Sequence, residues 1–149
     1  MCSAPLSRED DKIFAYFSPV PRDKVRALLI DDDAADAAII NRLASRSKQL
    51  DFQLRVCFST EGALRLLAEQ AFDVVFVDYW LGSHTSIAFI SELARTRATP
   101  CVLLTGLDEP DIRRIGFRAG VKAFLSKEEI SSQAIESVTL AVLDGHAAT

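Results

Sequence analysis

From Val25 onward the chain alternates between two apolar patterns. Val25-Arg26-Ala27-Leu28-Leu29-Ile30 is a short, nearly continuous apolar run ended by Asp31-Asp32-Asp33. Such a run suits a parallel strand buried on both faces. Ala34 to Ser47 then spaces Ile39, Ile40 and Leu43 as a helix does, with one of the preceding aspartates as its cap. The alternation repeats: strand at Phe52 to Phe58, helix at Ser59 to Gln70 capped by Ser59 or Thr60, strand at Asp73 to Val77 ending at Asp78. Thr85 to Arg97 reads as a helix, Pro100 to Leu104 as a strand closed by Thr105-Gly106, and Glu109 to Ala119 as a helix stopped by Gly120. Lys122 to Leu125 is a short last strand, and Lys127 to about Asp144 the last helix.

Five strands alternating with five helices imply one parallel sheet covered on both sides, in a doubly wound α/β layout. Ligands in such sheets bind beyond the carboxyl ends of the strands. Those ends carry the polar residues here: Asp31, Asp32 and Asp33 after the first strand, Asp78 after the third, Thr105 after the fourth and Lys127 after the fifth. Residues 1–23 stand outside the alternation. Their Ile13-Phe14-Ala15-Tyr16-Phe17 run is apolar enough to pack as a short docked helix, the alternative being a tail. The expected organisation is an extension over 1–23, a domain over 24–145 and a tail over 146–149.

Composition narrows the class of function. Seventeen Lys and Arg against 21 Asp and Glu leave a net charge of −4, which argues against binding nucleic acid or an anionic membrane through bulk charge. No apolar run is long enough for a membrane span, and Met1 to Pro21 has no apolar signal core. Cys2, Cys57 and Cys101 are scattered without zinc-type spacing. The expectation is a reduced, cytoplasmic protein.

Asp31, Asp32 and Asp78 gathered at one sheet edge would repel one another unless a cation joined them. A hard divalent ion in a small oxygen-lined site points to Mg²⁺. With a lysine and a threonine hydroxyl converging on it, the arrangement suits phosphoryl transfer, one aspartate serving as nucleophile. A metal-dependent phosphatase of another doubly wound family would want a second acid two residues after the nucleophile, where this chain has Trp80. A dinucleotide-binding domain would want a G-x-G-x-x-G turn after the first strand, and none is present.

The four strand-closing motifs Leu28-Leu29-Ile30-Asp31-Asp32-Asp33, Val75-Phe76-Val77-Asp78, Val102-Leu103-Leu104-Thr105-Gly106 and Ala123-Phe124-Leu125-Ser126-Lys127, in that order, resemble the receiver domain of bacterial two-component response regulators. The resemblance spans about residues 24–145. It implies a flavodoxin-like fold of five parallel strands in the order 2-1-3-4-5. It also implies Asp78 as phosphoacceptor, with Asp31, Asp32, Asp78 and the Trp80 backbone carbonyl as Mg²⁺ ligands. Thr105 and Lys127 then assist at the phosphoryl group, and Thr105 and Phe124 act as switch residues, unless Phe124 is simply core. Asp33 is either a helix cap or an alternative member of the acidic pair. Donors would be a histidine kinase or histidine phosphotransferase. Output would pass through the face formed by the fourth helix, fifth strand and fifth helix to a downstream protein, without nucleic acid or membrane. Arg113, Arg114 and Arg118 offer a basic edge there.

On this reading the chain is a stand-alone receiver and no enzyme, beyond catalysing its own phosphorylation and dephosphorylation. Trp80 and Leu107, bulky and apolar, would flank the path of attacking water and lengthen the phosphoryl lifetime. The chain departs from the family in two places. Glu128 follows Lys127 where a proline is usual, and Gly82 stands four residues after Asp78 where a proline is common. The first departure leaves open a receiver-like interaction module that works without phosphorylation.

Overall fold

The computed structural model describes residues 22–106 and 110–145. The expectations for Ile13 to Phe17, for Leu107 and for the 146–149 tail fall outside these residues. Five parallel strands form the sheet: β1 (Asp23–Ile30), β2 (Leu50–Cys57), β3 (Val74–Asp78), β6 (Cys101–Thr105) and β7 (Ala123–Ser126). Their order is β2-β1-β3-β6-β7. Strands β4 (Trp80–Leu81) and β5 (His84–Thr85) form a separate small hairpin, so the five sheet strands follow the expected 2-1-3-4-5 order.

The helices are α1 (Ala34–Ser45), α2 (Thr60–Glu69), α3 (Ile87–Thr96), α4 (Pro110–Ala119) and α5 (Ser132–Leu143). Alternation along each strand sorts the core into two layers, because successive side chains point to opposite faces. Val25, Ala27, Leu29, Val74, Phe76, Val102, Leu104, Ala123 and Leu125 pack with α1 and α5. Leu28, Ile30, Val75, Val77, Cys101 and Leu103 pack with α2 and α3. Each buried Val, Leu, Ile or Phe side chain among these contributes roughly 1.5–3 kcal/mol. Cys57 and Cys101 are free, buried thiols, and burial pushes the Cys101 pKa up to about 12. Among the described residues no helix is long and apolar enough to cross a membrane.

Side-chain caps set the starts of α1, α2 and α5. Asp33 accepts from Ala35 N at 2.9 Å and Asp36 N at 3.2 Å, and is thereby the α1 cap. Ser59 caps α2 by accepting from Gly62 N. Gly120, at φ +117°, ends α4, with its N–H and that of Val121 both reaching the Gly116 carbonyl.

Five boundaries differ from expectation by two residues or more, two of them the starts of β1 at Asp23 rather than Val25 and of β2 at Leu50 rather than Phe52. Helix α1 stops at Ser45, two residues early, and Ser47 turns to bond Glu136 instead. Thr85 belongs to the hairpin, so α3 starts at Ile87. Lys127–Glu129 form a 3-10 turn, with Ser126 Oγ accepting from Glu128 N, and α5 begins only after its own cap, Ser131.

Candidate functional site

Asp31, Asp78 and Lys127 meet because of strand parity. They continue the alternation of Leu29, Phe76 and Leu125, the residues that face α1 and α5. Strand pairing supplies the rest. Ile30 stands beside Val77, and Asp78 beside Leu104, so the ends of β1 and β3 lie side by side. The Asp31 N–H donates to the Cys57 carbonyl at 3.0 Å and Tyr79 N–H to the Leu104 carbonyl at 3.0 Å, fixing the backbone on either side.

The Lys127 ammonium lies 2.7 Å from Asp31 Oδ2, 2.8 Å from Asp36 Oδ2 and 2.9 Å from Asp78 Oδ2. It donates hydrogen bonds to Asp36 and Asp78. Asp31 is fully buried; its Oδ1 accepts from Asp33 N at 2.9 Å, while its Oδ2 accepts no hydrogen bond and, among the described residues, is paired with the charge of Lys127. Burial raises the Asp78 pKa above the ordinary carboxylate range, against the lowering effect of Lys127. Burial by itself would lower the Lys127 pKa, but the three carboxylates outweigh it and hold the amine protonated and above its usual value.

Asp32 is exposed, and its Oδ2 accepts from the Gly82 N–H at 2.6 Å. Gly82 is the first residue of the two-residue turn joining β4 to β5, at φ +66°. Proline, locked near φ −65°, cannot stand there, which accounts for the departure at this position. One carboxylate oxygen each from Asp31, Asp32 and Asp78 can be chosen so that all lie within 4.8 Å of one another. Together with the orphaned Asp31 Oδ2, this oxygen set fits a hard divalent cation. Asp33 is outside the set, its carboxylate being spent on the α1 cap.

The remaining expected residues lie around this centre. Thr105 is buried at the end of β6, opposite Ser126, and its hydroxyl makes no hydrogen bond to Asp78 or Lys127. Phe124 is half-buried beneath α4: its ring stacks edge-on against Phe117 at 4.9 Å and lies under the Arg113 guanidinium at 5.2 Å. Only glycine fits easily at position 116, where a Cβ would come within 3.0 Å of that ring. Arg114 pairs with Asp111 on the same helix.

Trp80 is 56% exposed and leans edge-on against Tyr79. With Asp32, Phe58, His84 and Phe89 it lines an open groove of about 730 Å³. Two features escaped sequence reasoning. Leu81-Gly82-Ser83-His84 carries a Gly-Ser hairpin signal that could have revealed β4 and β5. Asp36, an ordinary first-turn acid in sequence, gave no sign that it would reach Lys127 across 91 positions.

The family model described as response regulator receiver domain matches residues 27–139. The chain is 26% identical over 148 residues to the sensory/regulatory protein RpfC of Xanthomonas campestris pv. campestris, covering 93% of this chain and 20% of that protein. It is 29% identical over 102 residues to the transcriptional activator protein PfeR of Pseudomonas aeruginosa, covering 68% of this chain and 32% of that protein. The chain thus spans a fifth to a third of the length of these relatives. Among solved structures, the signal receiver domain of the putative response regulator NarL from Mycobacterium tuberculosis superposes with a TM-score of 0.72 at 22% identity, covering 83% of this chain and 99% of that one. The chemotaxis protein CheY4 of Vibrio cholerae gives 0.71 at 16% identity, over 80% and 98% of the two chains.

Proposed function

The chain belongs to the response regulator receiver domain family, and on that footing we propose that it accepts a phosphoryl group on Asp78 from a histidine kinase or histidine phosphotransferase and thereby changes what it binds. The observation that carries this reading is the Lys127 ammonium set 2.9 Å from Asp78 Oδ2, inside an acidic nest completed by Asp31 and Asp32. An Asp78 oxygen forms the bond to phosphorus as the donor's imidazole nitrogen leaves, giving an acyl phosphate on Asp78 and a free histidine. Burial makes that oxygen more basic, while Lys127 keeps it ionised and close to the charge it must later neutralise. Asp31, Asp32 and Asp78, with the Trp80 carbonyl, would hold Mg²⁺, which when bound offsets negative charge on the transferring group.

Thr105 at the end of β6 supplies a hydroxyl for a phosphoryl oxygen, and its movement is passed to Phe124 on the neighbouring strand. Phe124 must then part from Phe117 and Arg113, which alters the face of α4, β7 and α5 that a downstream protein reads. The setting for such signalling is the cytoplasm, and the chain's own catalysis goes no further than making and losing its phosphoryl group. Lys127 reaches Asp78 without a following proline, which favours this reading over a module acting without phosphate.

The test is acetyl phosphate with Mg²⁺, read by intact mass. Wild type gains one phosphoryl unit and Asp78→Asn none; an unmodified wild type rejects the proposal. We further propose that the bulky Trp80, exposed on the groove beside Asp32, hinders attacking water and slows loss of the group. Trp80→Asn should shorten the lifetime of labelled phosphoprotein about tenfold, an effect of roughly 1.4 kcal/mol on the barrier. Equal decay in the two proteins would remove the shielding role.

A further inference from the structure

An ammonium has three N–H donors, and around Lys127 three carboxylates stand within 2.9 Å. Oxygens arriving on Asp78 compete with these carboxylates for the ammonium, and the carboxylate held most loosely gives way first. Asp31 cannot do so cheaply: it is fully buried, and its Oδ2 has no hydrogen bond to fall back on. Asp78 carries the incoming group itself. Asp36, on the first turn of α1, has a side chain 40% exposed, and water can replace the ammonium there.

We propose that Asp36 is a positioning residue that holds Lys127 in the resting site and competes with phosphoryl oxygens for it. This inference rests on Asp78 being the phosphoacceptor. Removing the Asp36 carboxylate frees the ammonium donor that it holds at rest, so an anion on Asp78 is bound more tightly. A merely structural Asp36 would have no such effect, since its loss would weaken the site or leave it unchanged.

Beryllofluoride, a stable mimic of an acyl phosphate, provides the test when titrated with Mg²⁺ onto the full chain and followed by fluorine NMR of the bound species. Asp36→Asn should lower the half-saturating concentration about fivefold, the size expected of a part-exposed ion pair. Asp36→Glu, which restores a carboxylate within reach, should return close to wild type. Asp33→Asn removes the same charge one turn earlier, away from Lys127, while asparagine still caps the helix. An equal gain there would mean general charge relief and overturn the role of Asp36. No gain in Asp36→Asn, with wild type binding normally, also overturns it and leaves the phosphoacceptor reading intact. A wild type that never binds beryllofluoride overturns both.

Discussion

Two buried carboxylate sites in this molecule are built on opposite ratios. Just before β2, the Glu136 carboxylate of α5 accepts from Ser47 Oγ, from Lys48 N at 3.0 Å and from Gln49 N at 2.8 Å. Three donors serve one carboxylate, and the Ser47 hydroxyl, then the two backbone N–H groups, hold its pKa below the ordinary range despite burial. Beyond β1 and β3, three carboxylates share one ammonium, and an Asp31 oxygen goes without a hydrogen bond. The first arrangement is complete and ties a loop to a helix. The second is short of positive charge, and a cation or a rearranged lysine would relieve it. Completeness marks structure here, and deficit marks chemistry.

The largest effect separating the two regions should come from Lys127→Met. In chelator it leaves three carboxylates with no cation, and we expect a loss on the order of 3 kcal/mol in urea unfolding, much of it restored by Mg²⁺. A loss below about 1 kcal/mol would show that the lysine is not the keystone of the nest. Glu136→Gln should cost about 2 kcal/mol through weakened hydrogen bonds to a buried site, with no recovery in Mg²⁺. Its pH dependence has a definite sign. Because folding depresses the Glu136 pKa, its stabilisation is fully present above the ordinary carboxylate range and disappears as pH falls through the depressed value. The gap between wild type and variant therefore closes in acid. A Mg²⁺ response in this variant beyond that of wild type would mean that the two regions are coupled, and the contrast between them would fail.

Much of this was legible in the chain because two constraints act at once. Parallel strands buried on both faces need apolar runs, and each run here is broken at the site edge by a polar residue, so Asp31, Asp78, Thr105 and Lys127 announce themselves. Strand parity then brings Asp31, Asp78 and Lys127 to one face without further information. What was not legible depends on local competition or on packing. Lys127, Glu128 and Glu129 suit a helix start by composition, yet Ser126 and Ser131 offer two rival caps, and the chain makes a 3-10 turn on the first before starting α5 on the second. His84 and Thr85 fit a loop or a first helical turn until Gly82 is placed at positive φ and pairs β4 with β5. The reach of Asp36 to Lys127 depends on how α1 lies against the sheet, which no spacing within α1 encodes.

The finest discrimination between the two regions is a substitution that should stabilise. Burial disfavours the ionised form of Asp78, and the Asp31 charge adds to this, so at neutral pH in chelator the carboxylate works against folding. Asparagine keeps the shape and removes the charge, while Lys127 retains Asp31 and Asp36. Asp78→Asn should therefore gain on the order of 1 kcal/mol, about 3 °C in melting temperature for a domain of this length. The sign with pH is opposite to that of Glu136. A raised folded pKa means a penalty present above that pKa and lifted as pH falls through it, so acid removes a penalty at Asp78 and a stabilising contribution at Glu136. Added Mg²⁺ should reverse the order, since the ion stabilises wild type by mass action and finds one carboxylate fewer in the variant. A variant less stable than wild type in chelator would mean that Asp78 is as well satisfied as Glu136, and the nest would then have no deficit for a cation to fill.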